Sequence, residues 1–243
     1  MQAAALDELP GFRRRFRVTP AAGCVRSEVE DDFHRMSVSL HHDGATVTAI
    51  EPLVIRAPWD TCPGAVEQLR QTFEGLALAR FAERGNKFAN CTHLYDLALL
   101  AAAHAFDDAP LAYDILVSDP VDGRRRAELR RDGATLFAWS DARLVLVEPP
   151  ELAGLRLDQL GTWIGTLEPA LREPARLLRW GNMIANGRVI PLEKQSDASR
   201  MPATCYTFQP QRAAVARRIG AIRDFSRGTR QLLEAREAAP PVQ

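Results

Sequence analysis

The chain has 243 residues, of which 46% are hydrophobic and 26% are charged, and its 31 basic side chains balance its 31 acidic ones. This length and composition are ordinary for a globular protein with a sizeable core. The even charge balance argues against a nucleic-acid-binding protein, which usually carries a basic surplus. The longest apolar run, 97–106, is too short to cross a bilayer, so no membrane partner is expected.

The four cysteines, Cys24, Cys62, Cys91 and Cys205, are widely spaced and do not suggest a disulfide framework. The first residues lack a basic stretch followed by an apolar one, so no signal peptide is evident. Together these features predict a cytoplasmic protein with reduced thiols.

Alternating apolar residues over 12–56 predict a meander of antiparallel strands, with a turn at the His42-Asp43-Gly44 sequence. Residues 59–84 follow with a helical period, and 90–104 form a second helical segment that is apolar nearly all round. The first of these helices is expected to end near Gly85. A helix apolar on every side is expected to be buried.

Further strands are predicted at 113–118, 125–131, 135–139 and 143–147, and helices at 157–168, 172–185 and 210–237. The predicted fold class is therefore α+β, with an antiparallel sheet or sheets of meander and hairpin strands and helices packed on one face. We expect a single domain over 1–243, with a strand-rich part at 12–150 around two central helices and a mainly helical part at 151–237.

Two cysteines lie where these first helices should begin, and His93 follows the second of them by two residues. We expect the two helix starts to face one shared cavity, with the imidazole between them. A helix start offers free N–H groups and positive potential, which can stabilise a thiolate or hold an anion. Cys62, Cys91 and His93 could alternatively bind zinc, although no Cys-x-x-Cys pair is present. Both thiols could also be simple buried side chains.

Three side chains around the second helix start are candidates for proton transfer. His93 could shuttle protons near neutral pH or merely cap the preceding loop. Tyr95 could be a proton donor or a core aromatic residue. Lys87 could be a base, because desolvation and the local positive potential would lower its pKa, or it could be solvated.

The Glu30–His34 segment places acidic residues beside a histidine at the start of a strand. Side chains alternate along a strand, so Asp32 and His34 should share one side and could form an acid–base pair or two metal ligands. Arg56 could bind an anionic group through two parallel hydrogen bonds, or it could form an ion pair with Asp60.

Several segments together resemble the bacterial domain-of-unknown-function family 2889 over most of 12–210. They comprise an N-terminal Arg-x-Arg pattern, the Glu-Asp-Asp-Phe-His34 strand, the His42-Asp43-Gly44 turn, Arg56-x-Pro58 with Cys62, and Cys91-Thr92-His93-Leu94-x-Asp96-Leu97. The Cys-Thr-His-Leu sequence is the most distinctive of them. Some members of that family are encoded among genes for the breakdown of lignin-derived aromatics.

This resemblance implies a cofactor-independent lyase that releases formaldehyde from the hydroxymethyl group of a phenolic biaryl and forms a stilbene. Because the substrate forms a quinone methide and is thus its own electron sink, no metal or coenzyme is expected. The implied catalytic candidates are His93, Tyr95, Lys87, His34 and Asp32. The implied substrate-binding candidates are Arg56, Trp59, Cys62 and Cys91, with Arg56 holding a carboxylate or phenolate.

Two other classes of function stay open. One is a metal-dependent hydrolase or lyase that uses Cys62, Cys91 and His93. The other is a non-catalytic accessory protein that binds aromatic molecules. The expected partner is a small aromatic substrate, and the sequence leaves open whether the protein is a homo-oligomer.

Overall fold

The structure, a computed structural model, describes residues 5–220, 222–227 and 230–234. Its backbone divides into two compact units that are interleaved along the chain. The first unit comprises Met1–Arg15, Ala112–Pro191 and Asp224–Leu232, and the second comprises Phe16–Leu111, Leu192–Arg223 and Leu233–Gln243. Whether the chain forms a single domain over 1–243 stays a prediction.

Eight strands and five α-helices make up the regular structure of the described residues, so the α+β fold class is confirmed. The strands are β1 (Gly11–Ala21), β2 (Cys24–Asp31), β3 (Arg35–His42), β4 (Val47–Arg56), β5 (Leu111–Ser118), β6 (Arg124–Arg131), β7 (Ala134–Ala142) and β8 (Val145–Glu148). The helices are α1 (Ala65–Phe73), α2 (Thr92–Ala103), α3 (Gly161–Thr166), α4 (Pro169–Ala185) and α5 (Pro210–Ala213).

The second unit contains the predicted meander, in the order β4-β3-β2 followed by the later part of β1. Each strand pairs antiparallel with the next, and Asp43 accepts two backbone N–H bonds in the turn between β3 and β4. Helix α2 packs on β2 and β3, while α1 packs on β4. The core between them is apolar and includes Val29, Val38, Leu69, Phe73, Leu94 and Leu97.

The first unit contains the beginning of β1 followed by β5, β6, β7 and β8, with antiparallel pairing from β5 onwards. The predicted hairpin between β6 and β7 is confirmed. Asp132 and Gly133 have positive φ angles of 48° and 86°, as a tight hairpin turn of the mirror-image type requires. Helix α4 packs on β6 and β7, and Gly181 lets it approach Ile115 closely.

The prediction of one helix over 59–84 is wrong. Helix α1 ends at Phe73, and Gly75 follows with a φ of 76°. Gly75 then donates its N–H to the carbonyl of Val47, and Val47 donates to Leu76, so the chain pairs with the start of β4 instead of continuing the helix. A shorter 3-10 helix, Leu78–Glu83, supplies the remaining helical pattern.

The second predicted helix, over 90–104, is confirmed as α2, and most of its residues are buried. The helix predicted at 210–237 is wrong where the structure describes it. Only Pro210–Ala213 is α-helical, and Gly220 has a φ of 78°. The backbone beyond α5 bonds to other segments, because Ile219 donates to Pro58 and Arg223 donates to Asp32. Residues 221, 228–229 and 235–237 lie outside the described residues.

No helix among the described residues has both the length and the apolar character needed to cross a membrane.

Candidate functional site

The candidate site is built on the tight turn between β2 and β3 of the second unit. Asp31 ends β2, is fully buried, and accepts hydrogen bonds at Oδ1 from the backbone N–H groups of Phe33 and His34, both at 2.7 Å. Its own N–H donates to the carbonyl of His34 at 2.9 Å. An aspartate that bonds to N–H groups two and three residues on stabilises such a turn.

The same carboxylate fixes the imidazole of His34. Nδ1 of His34 lies 3.0 Å from Oδ1 and 3.3 Å from Oδ2 of Asp31. Because Oδ1 already accepts from two backbone donors, Asp31 acts as an acceptor and Nδ1 must carry the proton. In the neutral ring Nε2 is then left with its lone pair, which is the form a general base needs.

His93 is brought against this ring by the first turn of α2. The two imidazole centres are 3.9 Å apart and their planes differ by 28°, so the rings are stacked. His34 is 8% exposed and His93 is partly exposed. The arrangement therefore combines a buried carboxylate, an oriented imidazole and a second imidazole that is more accessible, which is a composition suited to proton transfer.

Asp31, His34 and His93 are also candidate metal ligands, since one ligand atom of each lies within 4.8 Å of the others. Within the described part of the chain, no other group of three or more His, Cys, Asp or Glu side chains meets this criterion. Two imidazoles bound at right angles to one ion would place their ring centres about 4.6 Å apart, given metal–nitrogen bonds of about 2.1 Å. At 3.9 Å the stacked rings are closer than that, so metal binding requires them to separate.

Asp32 does not occupy the place that strand alternation suggests. It lies in the turn rather than in a strand, and the carboxylate that contacts His34 belongs to Asp31. Asp32 is fully buried, and its carbonyl accepts from Arg56 and from the N–H of Arg223. Asp31 was missed, although an aspartate two to three residues before the turn's end is a recognised turn signal.

Arg56 stabilises the turn by donating hydrogen bonds to the backbone carbonyls of the turn residues. Its guanidinium donates to the carbonyls of Asp31 at 2.5 Å, Asp32 at 2.9 Å and His34 at 3.2 Å. It also contacts Oε1 of the buried Glu30 at 3.4 Å. Five donors in a rigid fork allow one arginine to hold several carbonyls at once. In this structure Arg56 therefore positions the turn, and substrate binding by Arg56 stays a prediction.

Lys87 and Tyr95, the predicted proton-transfer partners, have other contacts. Nζ of Lys87 lies 2.7 and 2.8 Å from the two carboxylate oxygens of Asp96, which is 6% exposed. The hydroxyl of Tyr95 donates to the carbonyl of Arg84, and burial raises the pKa of Tyr95. Their roles in catalysis stay predictions.

The two cysteines do not gain thiolate character from the helix starts. Burial raises the pKa of Cys62 to about 11 and that of Cys91 to about 12, so both are protonated thiols near neutral pH. Sγ of Cys91 lies 4.0 Å from Sδ of Met36, and Sγ of Cys62 lies 3.5 Å from Oγ1 of Thr207. Desolvation outweighs the helix-start effect that the sequence suggested.

Trp59 is 4% exposed and lies edge-on to Phe208, with ring centres 5.9 Å apart. The guanidinium of Arg218 is 5.9 Å from the centre of the Trp59 ring.

A void of about 10 Å³ beside Phe33 and Arg56 has room for about one water molecule. That the starts of the first two helices share one substrate-sized cavity stays a prediction.

Comparison of the chain with protein-family models, with curated proteins and with solved structures found no match.

Proposed function

We propose that the protein is a cofactor-independent lyase of the cytoplasm that acts on a phenolic lignin-derived biaryl. It releases formaldehyde from a hydroxymethyl group and leaves a stilbene. The observation that carries this proposal is the stacked His34–His93 pair with Nδ1 of His34 bound to the buried Asp31. The resemblance of the Cys91–Leu97 segment to family 2889 supplies the substrate class.

The reaction needs proton transfer and no external electrons. The ionised phenol pushes electron density to the benzylic carbon, the benzylic carbon–oxygen bond breaks, and a quinone methide forms. Loss of the primary alcohol's proton then lets the carbon–carbon bond break, which releases formaldehyde and returns the electron pair to the ring. The departing benzylic oxygen takes up one proton, so substrate equals stilbene plus formaldehyde and no proton is gained or lost overall.

Two neighbouring imidazoles match these two proton transfers. His93, the more accessible ring, takes the proton of the primary alcohol. His34, charged at the start of the cycle, donates its Nε2 proton to the benzylic oxygen while Asp31 keeps its ring oriented, and the proton that His93 gains then returns to His34 through solvent. The predicted participation of Tyr95 or Lys87 is an addition to this scheme and not a requirement of it.

The test is to dialyse the purified protein against EDTA, incubate it with a phenolic hydroxymethyl dihydrobenzofuran and measure formaldehyde and stilbene. We expect equal amounts of the two products, strong loss of both with His93→Ala, and little change with His41→Ala, a partly exposed histidine of the same unit. Absence of formaldehyde would contradict the proposal. Binding of the substrate without turnover, unaffected by His93→Ala, would support an accessory aromatic-binding protein instead.

A metal-dependent hydrolase or lyase is the second candidate, and the close approach of the Asp31, His34 and His93 ligand atoms favours it. Two histidines and one carboxylate suit zinc or iron(II). Near-stoichiometric metal in the purified protein, lost together with activity in His34→Ala, would support this candidate. The raised pKa values of Cys62 and Cys91 make these thiols poorer ligands than the sequence suggested.

A further inference from the structure

The first unit contains a cleft of about 380 Å³ that is lined mainly by charged side chains. Its walls come from Asp7, from the start of β1, from β5 and β6, and from residues 225–226 and 230–232. The charged residues that line it are Asp7, Arg13, Arg14, Arg15, Asp114, Arg130 and Arg230. A volume of this size lies within the range of small-molecule sites in proteins.

Positive charge exceeds negative charge in this cleft. Glu128 contacts Arg130 at 2.7 Å and adds one carboxylate to the two aspartates in the lining. Five arginines against three carboxylates leave two excess positive charges. Two of the arginines are almost fully buried, Arg13 at 8% and Arg14 at 1% exposed, so water screens their charges weakly.

The strand register fixes several of these groups in place. Asp114 of β5 lies opposite Arg130 of β6, and it receives two hydrogen bonds from Arg15 of β1, at 2.6 and 3.0 Å. Arg130 in turn bonds both carboxylate oxygens of Asp7, at 2.9 and 2.7 Å. Arginine side chains fixed by such pairs lose little further entropy when a ligand binds.

Arg13 is fixed in a different way, through donation to the carbonyls of Leu6 and Leu9 at 3.0 and 2.6 Å. Ser226, which also lines the cleft, accepts the N–H of Gly11 of β1 at 3.0 Å. The exposed Arg230 and Gln231 complete the lining. The lining is therefore rich in N–H donors.

We propose that this cleft binds the phosphate group of a small phosphorylated molecule. A phosphate dianion carries two negative charges, which match the two excess positive charges, and its oxygens accept the forked donors of arginine. The cleft is larger than a phosphate group alone, so the remainder of its volume accommodates an organic substituent. This binding site is independent of the proposed lyase activity.

The test is titration of the full chain with inorganic phosphate and pyrophosphate by calorimetry, at constant ionic strength set with chloride. We expect saturable binding of both, stronger for pyrophosphate, and weaker binding of benzoate, which carries one charge. No saturable binding, or binding of benzoate as strong as that of phosphate, would overturn the proposal.

Two variants test the location of the site. Arg230→Glu should weaken phosphate binding by about tenfold, because it reverses one charge in the cleft. Arg227→Glu is the matched control, since Arg227 lies three residues away, its side chain is 73% exposed, and it does not line the cleft. Equal weakening by both variants would overturn the proposed location.

A third variant has an effect of opposite sign. Asp114→Asn removes a negative charge from the lining and should tighten phosphate binding by about threefold. If this variant has a normal circular dichroism spectrum but binds phosphate equally or more weakly, the excess positive charge of the cleft does not determine its affinity for phosphate, and the proposal is contradicted.

Discussion

The Asp31, His34 and His93 cluster of the second unit and the arginine cleft of the first unit both concentrate polar groups, but they use different chemistry. The cluster consists of imidazoles, which gain and lose protons near neutral pH, and one buried carboxylate that orients them. The cleft consists mainly of guanidinium groups, which stay charged at every physiological pH.

Because of this difference, the cluster is suited to proton transfer and the cleft is suited to anion binding. A group that must exchange a proton needs a partner that fixes its tautomer, and Asp31 provides that for His34. A group that must hold an anion needs a permanent charge and fixed donors, and bidentate pairs such as Arg15–Asp114 provide them.

The largest effect is expected from removal of an imidazole. His93→Ala and His34→Ala should each lower the rate of formaldehyde release by about 10²- to 10⁴-fold, the usual contribution of a positioned acid or base. Initial rates, with circular dichroism to check folding, measure this. His41→Ala should leave the rate nearly unchanged. If Arg230→Glu reduced the rate as much as His93→Ala does, the separation of roles between cluster and cleft would fail.

The next effect concerns the carboxylate that orients His34. Asp31→Asn should lower the free energy of unfolding by about 2–4 kcal/mol, because a buried charge-assisted acceptor of several hydrogen bonds is lost. Urea denaturation measures this. Asp43→Asn is the matched control, since Asp43 also accepts two backbone N–H bonds in a turn but is exposed. Equal losses of unfolding free energy in the two variants would show that the burial of Asp31 adds nothing to stability.

Lys87→Met should lower the free energy of unfolding by about 1–3 kcal/mol, because it leaves the nearly buried carboxylate of Asp96 without its partner. Its effect on formaldehyde release should stay within about threefold, which is small beside that of a positioned acid or base. A loss of rate comparable to that of His93→Ala would instead establish Lys87 as a member of the catalytic group.

The smallest effect is a dependence of stability on alkaline pH. Burial raises the pKa of Cys91 to about 12, above its value in the unfolded chain. The thiol's contribution to stability is therefore complete below the unfolded pKa and is lost as pH rises towards the folded one. Between pH values of about 8 and 10, the wild type should lose about 1.5 kcal/mol more than Cys91→Ala does. Urea denaturation at the two pH values measures this, and equal losses would place Cys91 in a solvated environment.

Local patterns in the sequence predicted much of the fold. The meander, the β6–β7 hairpin and helix α2 depend on alternation, turn residues and apolar periodicity, which act over short distances. The long helices predicted at 59–84 and 210–237 are wrong because the backbone bonds to distant segments. Gly75 pairs with Val47, and Ile219 with Pro58, and no local pattern reports such bonds.

The candidate site was predicted only in part. His34 and His93 were both selected from the sequence, but their stacking required knowledge of how α2 packs on β3. Asp32 was chosen in place of Asp31, because strand alternation was applied to a residue that lies in a turn. The thiol pKa values depend on burial, which spacing along the chain does not give.

The most direct test of whether Asp31 orients the ring of His34 for proton transfer is nitrogen-15 NMR of the histidine side chains at alkaline pH. The neutral ring of His34 should carry its proton on Nδ1, and Asp31→Asn should shift both ring nitrogen signals. A proton on Nε2, or signals that Asp31→Asn leaves unchanged, would overturn this role of Asp31.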